Sequence, residues 1–203
     1  MDFSKVVARD KINKTIEALK KNGINAEFVE NSQQAKERVL SIVPKGAKVM
    51  NMTSATIDAI GVAQVIGESG EYEALRTKLY SLNKEKDVQE MQEIGAAPEW
   101  TVGSVHAVTE EGKVVVASAT GSQLPAYAYG SQHVIWVVGG QKIVPNLEAA
   151  FKRIEEYTLP LESERAKKAY GVAGSAINKI LIINHEVNPQ RLTMIIVNEA
   201  LGF

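Results

Sequence analysis

The sequence predicts an α/β protein: one domain of three layers, with helices on both faces of a mixed, mostly parallel sheet. Three observations lead there. Short β-branched runs alternate with amphipathic helical patterns through the first third of the chain. The run Val134-Ile135-Trp136-Val137-Val138 is apolar at every position, as a strand covered on both faces of a sheet must be. With 203 residues, 45% of them hydrophobic and 23% charged, the chain can build one complete core. No linker, low-complexity stretch or fixed-period repeat divides it, so the expected domain is residues 1–203, with helical segments near 1–22 and 71–97 packed on the sheet.

Taken in order, residues 2–22 read as an amphipathic helix with Ile12, Ile16 and Leu19 on one face and Gly23 as its stop. Residues 24–29 form a strand. Ser32 is placed to cap a second helix carrying Ala35, Val39 and Ile42, which ends at Pro44-Lys45-Gly46. Residues 47–52 are a strand running through Thr53-Ser54-Ala55-Thr56 into one helix with Ile57, Ile60 and Val65. Two charged helices follow, at 71–82 and 84–94, before Gly95-Ala96-Ala97-Pro98 breaks the pattern.

Residues 104–109 and 113–119 predict a hairpin. Glu110-Glu111-Gly112 between them suits a type I turn closed by a glycine at positive φ. Ser122 is placed as the cap of a short helix with Pro125 in its first turn. The 133–138 strand ends at Gly139-Gly140. Asn146 starts a helix that Leu159-Pro160 interrupts and 161–170 resumes. Residues 180–184 and 193–197 are closing strands.

Composition removes several classes of function. A net charge of −1 gives no field to recruit nucleic acid or an anionic membrane. The absence of cysteine excludes a cysteine nucleophile and any Cys-ligated iron–sulfur cluster in this chain, and the cofactor is otherwise unspecified. The charged start MDFSKVVARDK is unlike a signal peptide and no apolar run approaches membrane-spanning length, so a cytoplasmic protein is expected. The three histidines are scattered without metal-ligand spacing, so no metal site is expected.

The candidate site lies at two similar strand-to-helix junctions, Asn51 to Thr56 and Ser118 to Gln123. In an open α/β sheet, ligands sit beyond the carboxyl ends of strands. Asn51, Thr53, Ser54, Ser118, Thr120, Gly121, Ser122 and Gln123 are therefore candidate contacts for a carboxylate or phosphate, and Lys142 after the buried strand adds an ammonium. The competing reading is that the hydroxyls only cap helices. His106, on the first hairpin strand, is the candidate proton donor or acceptor; the competing reading is a histidine bonded to backbone. Glu110 is the candidate carboxylate of catalysis; its competing reading is a solvated turn. Gly139 to Lys142 matches neither a dinucleotide fingerprint nor a phosphate-binding loop motif.

The segments GSVHAVTEEG at 103–112, SATGSQLPAYAYG at 118–130 and HVIWVVGGQKIV at 133–144 resemble the LUD-domain family, of lactate-utilization protein C type. NMTSATIDAIG at 51–61, LPLESERAKKAYG at 159–171 and NEALGF at 198–203 extend the resemblance along most of the chain. It implies a NagB/RpiA/CoA-transferase-like fold and a setting in lactate oxidation to pyruvate, beside iron–sulfur and flavin partners. It transfers no catalytic residue set. Three readings follow: a protein binding a small anionic metabolite, a non-catalytic subunit docking on a redox partner, and a CoA-transferase-like or ligase-like enzyme resting on fold analogy alone. A homo-oligomer, most simply a two-fold dimer, is expected from the apolar content of the elements.

Overall fold

The computed structural model describes residues 1–203. In chain order the strands are β1 (Asn25–Val29), β2 (Lys48–Asn51), β3 (Glu73–Ala74), β4 (Trp100–Gly103), β5 (Ala107–Thr109), β6 (Val114–Ser118), β7 (His133–Gly139), β8 (Ile143–Val144), β9 (Lys179–Ile183) and β10 (Leu192–Val197). The helices are α1 (Arg9–Lys21), α2 (Ser32–Ile42), α3 (Ala55–Ala59), α4 (Val62–Glu68), α5 (Leu75–Ser81), α6 (Val88–Ala96), α7 (Leu147–Arg153) and α8 (Leu159–Tyr170).

Six strands form an all-parallel sheet in the order β1-β10-β7-β4-β2-β3. The other four form a second sheet, β8-β5-β6-β9, in which the expected hairpin pairs β5 with β6 antiparallel. The α/β class holds, and the hairpin lies in a sheet of its own instead of forming the antiparallel part of one mixed sheet. The closing strands likewise separate, β9 into the small sheet and β10 between β1 and β7.

Strand alternation explains the layering. On β7, Val134, Trp136 and Val138 face a core shared with Ile12, Ile16 and Leu19 of α1 and with Val108, Val114 and Val116 of the small sheet. Ile135 and Val137 face the opposite core, against Val39 of α2, Ile57 of α3 and Val62 and Ile66 of α4. A third cluster joins Ala107, Val115 and Ala117 to Ala150 and Ile154 beneath the outer helices. The all-apolar reading of β7 is therefore correct: it is central, and both its faces are buried.

Several boundaries differ from the sequence reading, each for a local reason. α1 begins at Arg9 because Asp2 accepts from the Ser4 N–H and hydroxyl in its own turn, while Phe3 packs in the third cluster. Asn31, not Ser32, caps α2 by accepting from the Gln34 N–H. The helix expected after Thr56 is two helices, split where Gly61 adopts φ 70°. Part of the helix expected at 71–82 is strand, because β3 pairs with Lys48 and Val49 at the sheet edge. β4 has no counterpart in the sequence reading. The helix expected to break at Pro160 instead runs on from Leu147 through a π segment, Ile154–Thr158. Proline clashes with the carbonyl four residues back, and here that carbonyl, on Glu156, lies in the widened turn.

Candidate functional site

Both strand-to-helix junctions open onto one cleft of about 1560 Å³ at the carboxyl ends of β2, β4 and β6. Its floor is Thr56, Ser104, His106 and Lys142. One wall is α5 and α6, through Leu79, Tyr80, Val88 and Met91. The opposite wall is α8 and residues 172–177.

Lys142 reaches the floor because β7 ends in a tight 3-10 turn, Gly140–Lys142, from which Ile143 and Val144 pair with β5. Its side chain is buried, and Nζ lies 3.0 Å from Thr56 Oγ1 and 3.1 Å from Ser104 Oγ. No carboxylate pairs with it. Burial, reinforced by the positive charge of Arg153, pushes its pKa well below the ordinary lysine value.

Arg153 is also fully buried and also lacks a carboxylate. It donates to the His106 carbonyl at 2.6 Å, to Thr158 Oγ1 at 2.9 Å and to the Gln141 carbonyl at 3.4 Å, while Nη2 has no partner. Burial lowers its pKa to about 10, so it stays charged at neutral pH.

His106 accepts from the Ala117 N–H at Nδ1, 3.1 Å away, which assigns the proton of the neutral ring to Nε2. Burial, with Lys142 and then Arg153 adding to it, lowers its pKa to about 3. The expected proton exchange near neutrality is thus corrected: His106 is neutral there and serves as a fixed N–H donor at the cleft. Its backbone-bonded reading and its cleft position both hold.

The remaining candidates separate into three groups. Thr53, Ser54, Ser118, Thr120, Gly121, Ser122 and Gln123 all line the cleft together with Lys142. Within that group the hydroxyls are partly committed. Ser118 donates to Gln123 Oε1 at 2.9 Å and accepts from the Gly121 N–H at 2.8 Å, stapling the loop whose turn Gly121 makes at φ 89°. Thr120 donates to Ser122 at 3.1 Å, and Ser122 does not cap a helix, because the regular turn begins only at a π segment, Ala126–Gly130. Ser54 does cap α3, accepting from the Ile57 N–H. Asn51 does not line the cleft and contributes only its carbonyl, to Arg76. Glu110 is also absent from it: the carboxylate binds Lys11 at 3.0 Å and Lys14 at 3.3 Å on α1, and Lys11 before Lys14 lowers its pKa. Glu110 is a structural tie between the hairpin tip and α1.

Thr56 lies in the first junction without having been singled out, and Ser104, Arg76, Arg153 and Gly103 had no place in the site read from the sequence. Thr56 and Ser104 hold Lys142. Arg76 donates to Thr53 Oγ1, to the Asn51 carbonyl at 2.7 Å and to the Tyr80 hydroxyl at 2.8 Å, closing the cleft mouth. Arg153 had a legible signal, a charge at the buried face of a helix otherwise built from Ala150 and Ile154. Gly103 admits the site's packing: a Cβ there would stand 1.9 Å from the Tyr127 hydroxyl, which donates to the Ser104 carbonyl at 3.4 Å.

The charge balance of the lining is one-sided. Arg76, Lys84, Lys142 and Arg165 are basic, and the single acid, Glu162, is held by Arg165 through two bonds of 2.7 Å. Neither junction leads into a long helix, so the positive charge of the cleft comes from these side chains and not from helix dipoles.

Fold and cleft together define a two-sheet α/β protein with a basic, hydroxyl-lined cleft at the carboxyl ends of parallel strands. The chain belongs to the LUD-domain family, whose model matches residues 12–197. No curated protein matches the sequence. A DUF162 family protein from Deinococcus radiodurans shares the fold, at TM-score 0.58 and 12% identity over 95% of this chain and 99% of that one. Ribose 5-phosphate isomerase from Plasmodium falciparum aligns over 64% of this chain and 66% of its own, at 10% identity and TM-score 0.36. A D-ribose-5-phosphate isomerase in complex with phospho-erythronic acid aligns over 62% and 63%, at 14% identity and TM-score 0.37. The last two scores fall below those of a common fold. No helix of the chain is long and apolar enough to cross a membrane.

Proposed function

We propose that the chain is a lactate-utilization protein that binds a small carboxylate or phosphorylated metabolite of lactate and pyruvate metabolism in the cleft between the two junctions. One observation carries this reading: Lys142 and Arg153 are buried at and behind the cleft floor with no carboxylate opposite either. The guanidinium of Arg153 is charged, and a buried cation without a counter-ion is costly; a bound anion would offset that cost, with Lys142 at the floor as a hydrogen-bonding partner. Thr53, Ser54, Thr120 and Ser122 are within the same lining to supply hydrogen bonds.

The test is isothermal titration of the protein with lactate, pyruvate and inorganic phosphate, repeated on Lys142→Met. Saturable binding of at least one anion, weakened about tenfold or more in the variant, supports the reading. No heat from any of the three contradicts it.

A second reading, docking of a redox partner or of a second copy of this chain, is favoured by exposed apolar side chains at the cleft mouth. Tyr80 is 69% exposed, Tyr170 60%, and Val88 and Val172 46% each. Light scattering above the monomer mass of 22.1 kDa supports a homodimer, and a mass of one chain across micromolar concentrations removes it.

A further inference from the structure

We propose that Lys142 is a nucleophilic amine, which condenses with the carbonyl carbon of a small 2-oxo acid in the cleft to form an imine. This rests on the anion-binding reading and adds to it a substrate class and a covalent step.

The geometry around Nζ leaves one position of the nitrogen free. Thr56 Oγ1 lies 3.2 Å from the Leu201 carbonyl and donates to it, so toward Lys142 it can only accept. Ser104 Oγ accepts from Nζ at 3.1 Å. Nζ therefore spends two N–H bonds on two hydroxyl acceptors. Its remaining tetrahedral position has no protein partner. In the neutral amine that position is the lone pair, which is the attacking orbital.

The surroundings favour the neutral form. Arg153 is charged and close enough to oppose a second charge at Lys142, and no carboxylate stands nearby to support one. An exposed lysine, by contrast, is only about one part in 2,500 unprotonated at neutral pH.

Substrate class follows from what else the cleft presents. Basic groups at the mouth and behind the floor suit a carboxylate, and the amine needs an electrophilic carbon beside it. A 2-oxo acid places a ketone or aldehyde carbon one bond from its carboxylate. The His106 Nε2–H, fixed by the Ala117 bond, is available to the oxygen of that carbonyl. In the step itself, the Nζ lone pair bonds to the carbonyl carbon and the C=O π pair moves to oxygen. The nitrogen then forms C=N, and its two hydrogens leave with that oxygen as water. The sum is amine plus ketone giving imine plus water, with no change of oxidation state. Lactate has a hydroxyl in place of the carbonyl, so it can occupy the cleft but cannot condense.

The test uses the whole wild-type chain with cyanoborohydride and, separately, pyruvate, lactate or propanal, followed by mapping of modified lysines by peptide mass spectrometry. Propanal carries no charge and reports the amine alone. The expected result is reductive alkylation at Lys142 by pyruvate, about tenfold or more faster than at exposed lysines such as Lys48 and Lys167, with none from lactate. Thr56→Val serves as a second variant that keeps Lys142 and alters its setting; a changed rate of adduct formation is expected. Lys142 left unmodified by both pyruvate and propanal, or modified no faster than the exposed lysines, overturns the proposal. If pyruvate binds by calorimetry without an adduct, the imine fails and the anion-binding reading stands. If propanal and pyruvate modify Lys142 equally and no anion binds, the amine stands and the anion-binding reading fails.

Discussion

Lys142 and Thr56 are 86 residues apart in sequence, and their side chains meet at 3.0 Å under a cleft that both line. Thr56 belongs to α3, at the end of β2, and Lys142 to the turn at the end of β7. The contact therefore ties together two crossovers of the parallel sheet, with β4 lying between their strands. The Thr56 hydroxyl spends its one proton on the Leu201 carbonyl and accepts from Lys142.

Replacing Thr56 by Val keeps the shape and removes both bonds. An N–H of Lys142 and the Leu201 carbonyl lose their partner. The expected destabilisation is about 1–3 kcal/mol, measured by urea denaturation. A loss within experimental scatter means that water replaces the hydroxyl.

Gly103→Ala sets a Cβ against the Tyr127 hydroxyl oxygen at 1.9 Å, and the ring cannot retreat, because Tyr127 is fully buried and stacks edge-on against Trp136 at 5.4 Å. Overpacking of this kind costs about 1–3 kcal/mol. The double variant with Tyr127→Phe, which removes the offending oxygen, is expected to recover part of that loss. Absence of any recovery shows that another contact decides the cost.

The pH dependence of stability carries the signature of His106. Its folded pKa of about 3 lies below the ordinary value of 6.5, so between those limits the unfolded chain binds the extra proton. Stability from this group is fully present above 6.5 and falls as pH drops toward 3. His106→Asn keeps an acceptor for the Ala117 N–H and removes the titration. Denaturation midpoints measured from pH 7 to 4 are expected to fall less steeply in the variant. Parallel curves for both proteins refute the assignment.

Glu110→Gln breaks the pairing of a half-buried carboxylate with the exposed ammonium groups of Lys11 and Lys14. The expected stability change is below about 1 kcal/mol, and anion binding is unchanged, because the residue is remote from the cleft lining. A loss of binding in this variant restores Glu110 as a site residue.

Much of this architecture was legible in the residues. The apolar run of β7 is readable because a central strand needs apolar groups on both faces, and Val134 to Val138 have nothing else. The hairpin turn was legible because Gly112 alone can take φ 79° where its N–H closes on the Thr109 carbonyl at 2.8 Å. β4 and β3 were not, because strands of four and two residues owe their form to neighbours in the sheet and carry little periodicity of their own. The same holds at the site. Ser-Ala-Thr after a strand marks a junction, and both junctions do meet in one cleft. Which hydroxyls are left free depends on tertiary partners: Ser118 is spent on its own loop, while Thr56 and Ser104 are turned to Lys142. A counter-ion that is missing, as at Arg153, can be read only once the whole fold surrounds it.

The central claim is that a small anion completes the charge at the floor of this cleft. A crystal structure of the chain grown with pyruvate tests it most directly. The account predicts density between the two junctions, within hydrogen-bonding distance of Lys142 Nζ or continuous with it. Density elsewhere on the surface, with the Lys142 floor empty at saturating pyruvate, would contradict it.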